Sequence, residues 1–311
     1  MGTIVTLAPI AVEMDKLIPG SIALLLGAVV GGSMFGDNLS FISDTTIAAT
    51  RTQNVDMKEK FKANFFIVLP AAIISTIIYF VVSQGFDVSH LQSQNLEYNI
   101  ISIVPYLLVF GLAIGGVNVI WSLIIGILAF LAIGIFNSNL PFLELIRSIN
   151  SGFVGMFELS ILCLIIGGVV GIIRLNGGLD FIIHLFTKNI KTKKQAELSI
   201  AGLTALADAA LANNTIAILI VGNVAKDISD KHQLEPKRVA SILDTVSCFV
   251  QGIIPYGAQI LAAVAVTKVV ENAASSVTPL DVISNLYYPF LTGICTLLFI
   301  FFYKQNKKEN I

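Results

Sequence analysis

Apolar residues gather along this chain in stretches of about 20, the length a helix needs to cross a bilayer. Five stretches run without interruption, at 64–84, 98–117, 119–136, 152–175 and 280–303. Three more are broken by dense polar motifs. The stretch 19–50 breaks at G-D-N-L-S-F-I-S-D-T-T (Gly36 to Thr46), 198–224 at A-N-N-T (Ala212 to Thr215), and 236–270 at I-P-Y-G-A-Q (Ile254 to Gln259). Backbone that leaves the helix at membrane depth must line a cavity or lie buried in protein, because lipid cannot satisfy its polar groups. The three interruptions are therefore the candidate site.

Composition narrows the class. Hydrophobic residues make up 55% of the 311-residue chain and charged residues 13%, against roughly 25% charged in a soluble domain. Soluble binding modules are excluded, and 19 Lys and Arg against 20 Asp and Glu point to no nucleic-acid partner. Cys163, Cys248 and Cys295 are scattered through apolar runs, and no His or Cys cluster suggests a metal or other cofactor. Sixteen of the basic residues collect in four clusters, around Arg51–Lys62, Arg174–Lys194, Lys226–Arg238 and Lys304–Lys308. Placing all four in the cytoplasm follows the positive-inside rule. The Lys- and Arg-free loops 86–97 and 272–279 then lie outside, and 198–224, which starts and ends inside, is predicted as a re-entrant hairpin tipped by Asn213, Asn214 and Thr215.

Two stretches read alike. After Gly2-Thr3-Ile4 and after Asn214-Thr215-Ile216 comes an apolar arm, a charged loop to Pro19 or Pro236, a long helix, a polar break and a further span. The two spans run in opposite directions on the charge argument, which predicts an inverted repeat of the kind that builds broken-helix transporters. The expected fold is an all-α polytopic membrane protein of inverted-topology repeats with a re-entrant hairpin. Residues 1–84 form the C-terminal part of the first repeat, 98–303 the second, and 304–311 a cytoplasmic tail. The first repeat reads as incomplete, so the chain is expected to lack about a hundred N-terminal residues of a longer protein.

Carboxylates at bilayer depth cost about 2.5–3.5 kcal/mol each on insertion scales, so their positions carry information. Asp37 and Asp44 sit in the first break among Ser40, Thr45 and Thr46. They would share a face if the segment stayed helical. Hard oxygen donors suit small hard cations, and a carboxylate also exchanges a proton; the same residue types are the usual helix caps. Asp37 and Asp44 are the expected Na+ and proton ligands, with Ser40, Thr45, Asn213, Asn214, Thr215 and Gln259 as neutral ligands. Asp208, Asp244 and Glu158 are candidate proton relays, the two aspartates being equally open to a structural role.

F-G-D-N-L-S-F-I-S-D-T-T-I-A-A-T-R-T-Q (Phe35 to Gln53) resembles the signature of the NhaC family of Na+/H+ antiporters. A-N-N-T-I-A-I and L-D-T-V-S-C-F-V-Q-G-I-I-P-Y-G-A-Q (Leu243 to Gln259) are similar to that family's second-half pattern. The resemblance runs along essentially the whole chain. It implies a multi-pass protein of the bacterial cytoplasmic (inner) membrane, with a cytoplasmic C-terminus, that exchanges cytoplasmic Na+ for external H+. The implied partners are the lipid bilayer, Na+ and H+, with a homodimer left open. Some NhaC-like proteins couple these ions to malate or lactate, which is the second reading; an inactive truncated remnant is a third. A channel would dissipate a Na+ gradient without linked proton movement. An intramembrane aspartyl protease would need G-x-G-D, and Met34 stands where its first glycine would be.

Overall fold

A computed structural model describes residues 2–40, 43–86, 100–114, 117, 119–137, positions scattered between 143 and 172, 175–187, 190–269 and 277–303. Every regular element among them is helical. The first group is α1 (Gly2–Leu17), α2 (Ile22–Leu39), α3 (Asp44–Gln53) and α4 (Met57–Ser83). A 3-10 turn at Ile100–Ile103 leads into α5 (Val104–Ile114), followed by α6 (Val119–Asn137) and α7 (Gly178–Thr187). Then come α8 (Lys193–Leu211), α9 (Asn214–His232), α10 (Pro236–Ile253), α11 (Ala258–Val269), α12 (Pro279–Ser284) and α13 (Tyr287–Phe302). The 98–117 stretch is thus shorter as an α-helix than expected. Of the 152–175 stretch only scattered positions are described, all of them helical, and most of the 86–97 and 272–279 loops lie outside the described residues.

The three interruptions are present as breaks between α2 and α3, α8 and α9, and α10 and α11. Each is written locally. Ser43 Oγ accepts from the Thr46 amide and opens α3. Ala212 takes a left-handed conformation (φ 50°) that ends α8, and the Asn213 side chain accepts from the Ile216 amide to start α9. The two helices pack along each other as a hairpin, and a Thr192–Gln195 capping box fixes its opposite end.

Two spans depart from expectation. Helix α4 begins seven residues earlier than 64, because Asp56 caps it through the Lys58 amide and the lysines of its first two turns are helix formers. The 280–303 stretch is not one helix but α12 and α13. Pro289 has no amide proton and its ring would clash with the carbonyl four residues back, that of Asn285. That carbonyl turns aside and accepts from the Tyr79 hydroxyl at 2.8 Å.

Three helical stretches among the described residues, Ile22–Gln53, Met57–Ser83 and Pro236–Thr267, are long and apolar enough to cross a membrane. On α4 the faces divide cleanly. Lys60, Asn64, Ile67, Ala71 and Ser75 are buried, while Phe66, Ile73, Ile77 and Phe80 lie exposed on the opposite side. An outward stripe of large apolar residues is what lipid accepts. Contacts between the two halves are reciprocal. Helix α1 packs on α11 and α9 on α3, α2 packs on α13 and α10 on α4, and α4 and α13 pack on each other.

Arg238, counted in the sequence among the cytoplasmic charges, is buried instead. Its Nε and Nη2 donate to the two carboxylate oxygens of Glu197 at 2.7 and 3.1 Å, and its guanidinium lies 4.2 Å from the Phe299 ring centroid. The pair ties α8, α10 and α13 together far from the hairpin tip.

Candidate functional site

Helix α2 stops at Leu39, leaving the carbonyls of its last turn without intrahelical donors. Side chains supply them. The Asp37 carbonyl accepts from the Ser43 hydroxyl at 2.9 Å and the Thr46 hydroxyl at 3.4 Å. The Asn38 carbonyl accepts from the Lys60 ammonium at 3.1 Å and the Asn64 amide at 2.8 Å. The ammonium also donates to Thr46 Oγ1 at 2.7 Å and pairs with Asp244 Oδ2 at 2.6 Å, both charged side chains being 1% exposed. Asn64 Nδ2 reaches the same carboxylate oxygen at 2.7 Å. The Asn38 side chain donates to the Tyr288 hydroxyl at 2.8 Å and to Cys248 Sγ at 3.3 Å. A cation at the C-terminal end of α2 also answers its negative dipole end.

The hairpin tip touches both of the other breaks. The Thr215 hydroxyl donates to Asp44 Oδ2 at 2.7 Å, while Asp44 Oδ1 accepts from the Thr45 amide. On the other side Gln251 Nε2 donates to the Ala212 carbonyl at 3.2 Å and to Gln259 Oε1 at 2.7 Å. The Tyr256 hydroxyl donates to the Ala209 carbonyl at 2.7 Å. Three polar motifs far apart in the sequence therefore meet at one place.

Asp208 lies one turn before this tip. It is fully buried, and neither carboxylate oxygen has a hydrogen-bond partner among the described residues. Gln251 Oε1 and Asn64 Oδ1 are likewise buried acceptors without a partner among them. Asp37 lies within electrostatic reach of Asp244, Asp44 and Lys60, and Cys248 within reach of Asp244, Asp37 and Asp208. Oxygen acceptors exceed donors here, and an unneutralised buried carboxylate is very costly. The arrangement is suited to holding protons or small cations.

The expected site residues distribute as follows. Asp37 and Asp44 flank the break rather than sharing one helical face, because α2 ends between them. Asp44 is exposed and joined to Thr215; Thr45 is buried and its hydroxyl lies 3.3 Å from that of Ser43. The Ser40 hydroxyl accepts from the Ser43 amide, and the amide oxygens of Asn213 and Asn214 accept from the Ile216 and Thr215 amides, so all three support local turns. Gln259 is buried against Gln251. Asp208 and Asp244 both lie in the interior, and Glu158 lies outside the described residues.

Sequence reasoning misses Lys60, Asn64, Asn38 and Tyr288. Charge counting groups Lys60 with Lys58 and Lys62 as a cytoplasmic charge, yet it is buried in the Asp244 pair. A signal is present: Lys60, Asn64, Ile67 and Ala71 recur at three- and four-residue spacing along one face, in register with the buried side of α4.

Comparison with known proteins agrees with this architecture. The model of the Na+/H+ antiporter family matches residues 1–84 and 93–303. An uncharacterized Na+/H+ antiporter of Haemophilus influenzae is 25% identical over 83% of this chain and 62% of its own length. The malate-2H+/Na+-lactate antiporter of Bacillus subtilis is 23% identical over 82% of this chain and 61% of its own. The Na+/H+ antiporter NhaC of Alkalihalophilus pseudofirmus is 21% identical over 89% and 64%. The chain thus spans less than two thirds of the length of each of these relatives. No solved structure matches it. On the family match over nearly all its residues, this chain, an all-α membrane protein, belongs to the Na+/H+ antiporter family.

Proposed function

We propose that the chain exchanges cytoplasmic Na+ for external H+, with Asp37 and Asp44 holding the exchanged cation or proton and Asp208 carrying the proton deeper in the protein. The observation that carries this reading is the meeting of the three breaks around the hairpin tip, where Thr215 bridges to Asp44 and Gln251 to Ala212. Asp208 adds the thermodynamic element. A buried carboxylate with no partner among the described residues must be neutralised, and proton and cation compete for that role. Such competition for one carboxylate is the minimal mechanism of exchange. The reciprocal contacts between the halves support an inverted repeat of 1–84 and 98–303, whose rocking would expose the breaks to one side and then the other. In this reading the protein sits in the bacterial cytoplasmic membrane with residues 304–311 on the cytoplasmic side.

The test uses the full chain in proteoliposomes. Asp37→Asn abolishes Na+-driven proton movement while the protein still accumulates in the membrane. Unchanged exchange in that variant sinks the assignment.

A second reading, antiport of organic anions coupled to Na+ and H+, draws on one further observation. The N-terminal ends of α3 and α9 meet at Asp44, and helix N-termini attract carboxylates. The Bacillus subtilis relative is named for malate and lactate.

A further inference from the structure

We propose that the oxygens around the Lys60 ammonium form a monovalent-cation site that the protein fills with its own side chain. Three oxygens of different kinds converge on Nζ: the Asp244 carboxylate at 2.6 Å, the Thr46 hydroxyl at 2.7 Å and the Asn38 carbonyl at 3.1 Å. They come from α10, α3 and α2, whereas the lysine arrives from α4. None of the three depends on the lysine for its place. Asp244 is held by Asn64, the Asn38 carbonyl is turned out where α2 ends and also accepts from Asn64, and Thr46 is fixed in the first turn of α3.

One carboxylate, one hydroxyl and one helix-terminal carbonyl carry a single formal negative charge, and all three residues are buried from solvent. That donor set matches a singly charged, oxygen-seeking cation. The Asp244 contact lies at the upper edge of the about 2.3–2.6 Å typical of Ca2+ and the other two are longer, a spread that suits a cation of ammonium size. Asn64 adds Oδ1, a buried acceptor without a partner among the described residues, on the amide that touches Asp244. The tethered ammonium therefore keeps Asp244 from mobile ions. If the chain exchanges Na+ as proposed above, Na+ reaches Asp244 only by displacing Lys60, which makes Lys60 a determinant of which carboxylates take part.

The binding claim is tested without transport. The full chain carrying Lys60→Ala is purified and its thermal melting compared in choline, ammonium, potassium and sodium chloride at matched ionic strength. The variant melts below the parent protein in choline. Ammonium, which restores the three N–H···O bonds, raises its melting saturably by about 3 °C or more. The parent protein shows no matching rise. Lys60→Met, which fills the channel of the lysine stem without a charge, and the double variant Lys60→Ala with Asp244→Asn both lose the ammonium response. If Lys60→Ala accumulates poorly, recovery of folded protein on extraction in ammonium, against none in choline, supports the site equally. Melting or recovery of Lys60→Ala that is the same in all four salts overturns the proposal, as does an equal ammonium response in the double variant. Absence of Na+ exchange in the parent protein, with the ammonium response of Lys60→Ala intact, would count against the exchange reading and leave the site standing.

Discussion

Gly222 faces the last turn of α3 from α9, two helical turns beyond Thr215 and on the same side of the helix. A methyl group added there would lie 2.6 Å from Thr52 Cβ and Cγ2 and 2.7 Å from its hydroxyl. Ordinary contact needs about 1 Å more, so Gly222→Ala must push α9 away from α3. The Gln53 Nε2 donates to the Gly222 carbonyl at 2.8 Å, and that bond is the first to lengthen. Overpacking costs about 1–3 kcal/mol and the weakened bond about 1 kcal/mol. The gain in helix propensity from glycine to alanine returns about 1 kcal/mol. The net loss is about 1–3 kcal/mol, a fall in melting temperature of roughly 2–5 °C for a chain of this size. Because Thr215 rides on the same helix, its hydrogen bond to Asp44 opens and exchange falls with it. Thr52→Gly alone costs about 0.3 kcal/mol in helix propensity, yet it removes the three atoms nearest the new methyl. The double variant should then be more stable than the sum of the two changes by more than about 0.5 kcal/mol, the scale of coupling between residues in contact. Thermal melting of the purified variants and Na+-driven proton movement are the assays. A Gly222→Ala protein that melts and exchanges like the parent, or strict additivity with Thr52→Gly, would refute the packing of the hairpin against α3.

Other consequences follow from the buried polar groups. Arg238→Met leaves Glu197 buried without its partner and destabilises by about 3–5 kcal/mol; adding Glu197→Gln recovers much of that in thermal melting, and no recovery would contradict the pair. Asp208→Asn replaces a buried carboxyl group that has no partner among the described residues, so melting should hold or rise while Na+-driven proton movement is lost; retained movement would remove Asp208 from the proton path. Ala212→Gly relieves a left-handed residue without changing any contact and should stabilise by about 1 kcal/mol, read as a small rise in melting temperature.

What the sequence reveals here depends on how a residue announces itself. The breaks are legible because a polar cluster inside an apolar run is costly in lipid, so it marks a place where the helix ends or a cavity opens. Both A-N-N-T and I-P-Y-G-A-Q end helices where expected. Their convergence is not legible, since the Thr215–Asp44 and Gln251–Ala212 contacts depend on packing between distant segments. Lys60 and Arg238 escape a sequence reading for a related reason. Each lies in a basic cluster, and charge counting treats every lysine or arginine as solvated, whereas burial depends on which face of the helix holds it. Lys60 shares its face with Asn64 and Ile67, while Lys58 and Lys62 do not. The continuous span 280–303 fails on one residue, Pro289, whose effect falls four residues before it. Hydropathy averages over such a position.

The central claim is that this chain couples Na+ to H+ through the convergent breaks. The most direct measurement is internal pH in acid-loaded proteoliposomes holding the full chain, with Na+, K+, malate or lactate added separately. Adding Na+ alone should alkalinise the interior, and Asp37→Asn should abolish that response. Proton movement only when malate or lactate is present, or none with any addition, would contradict it.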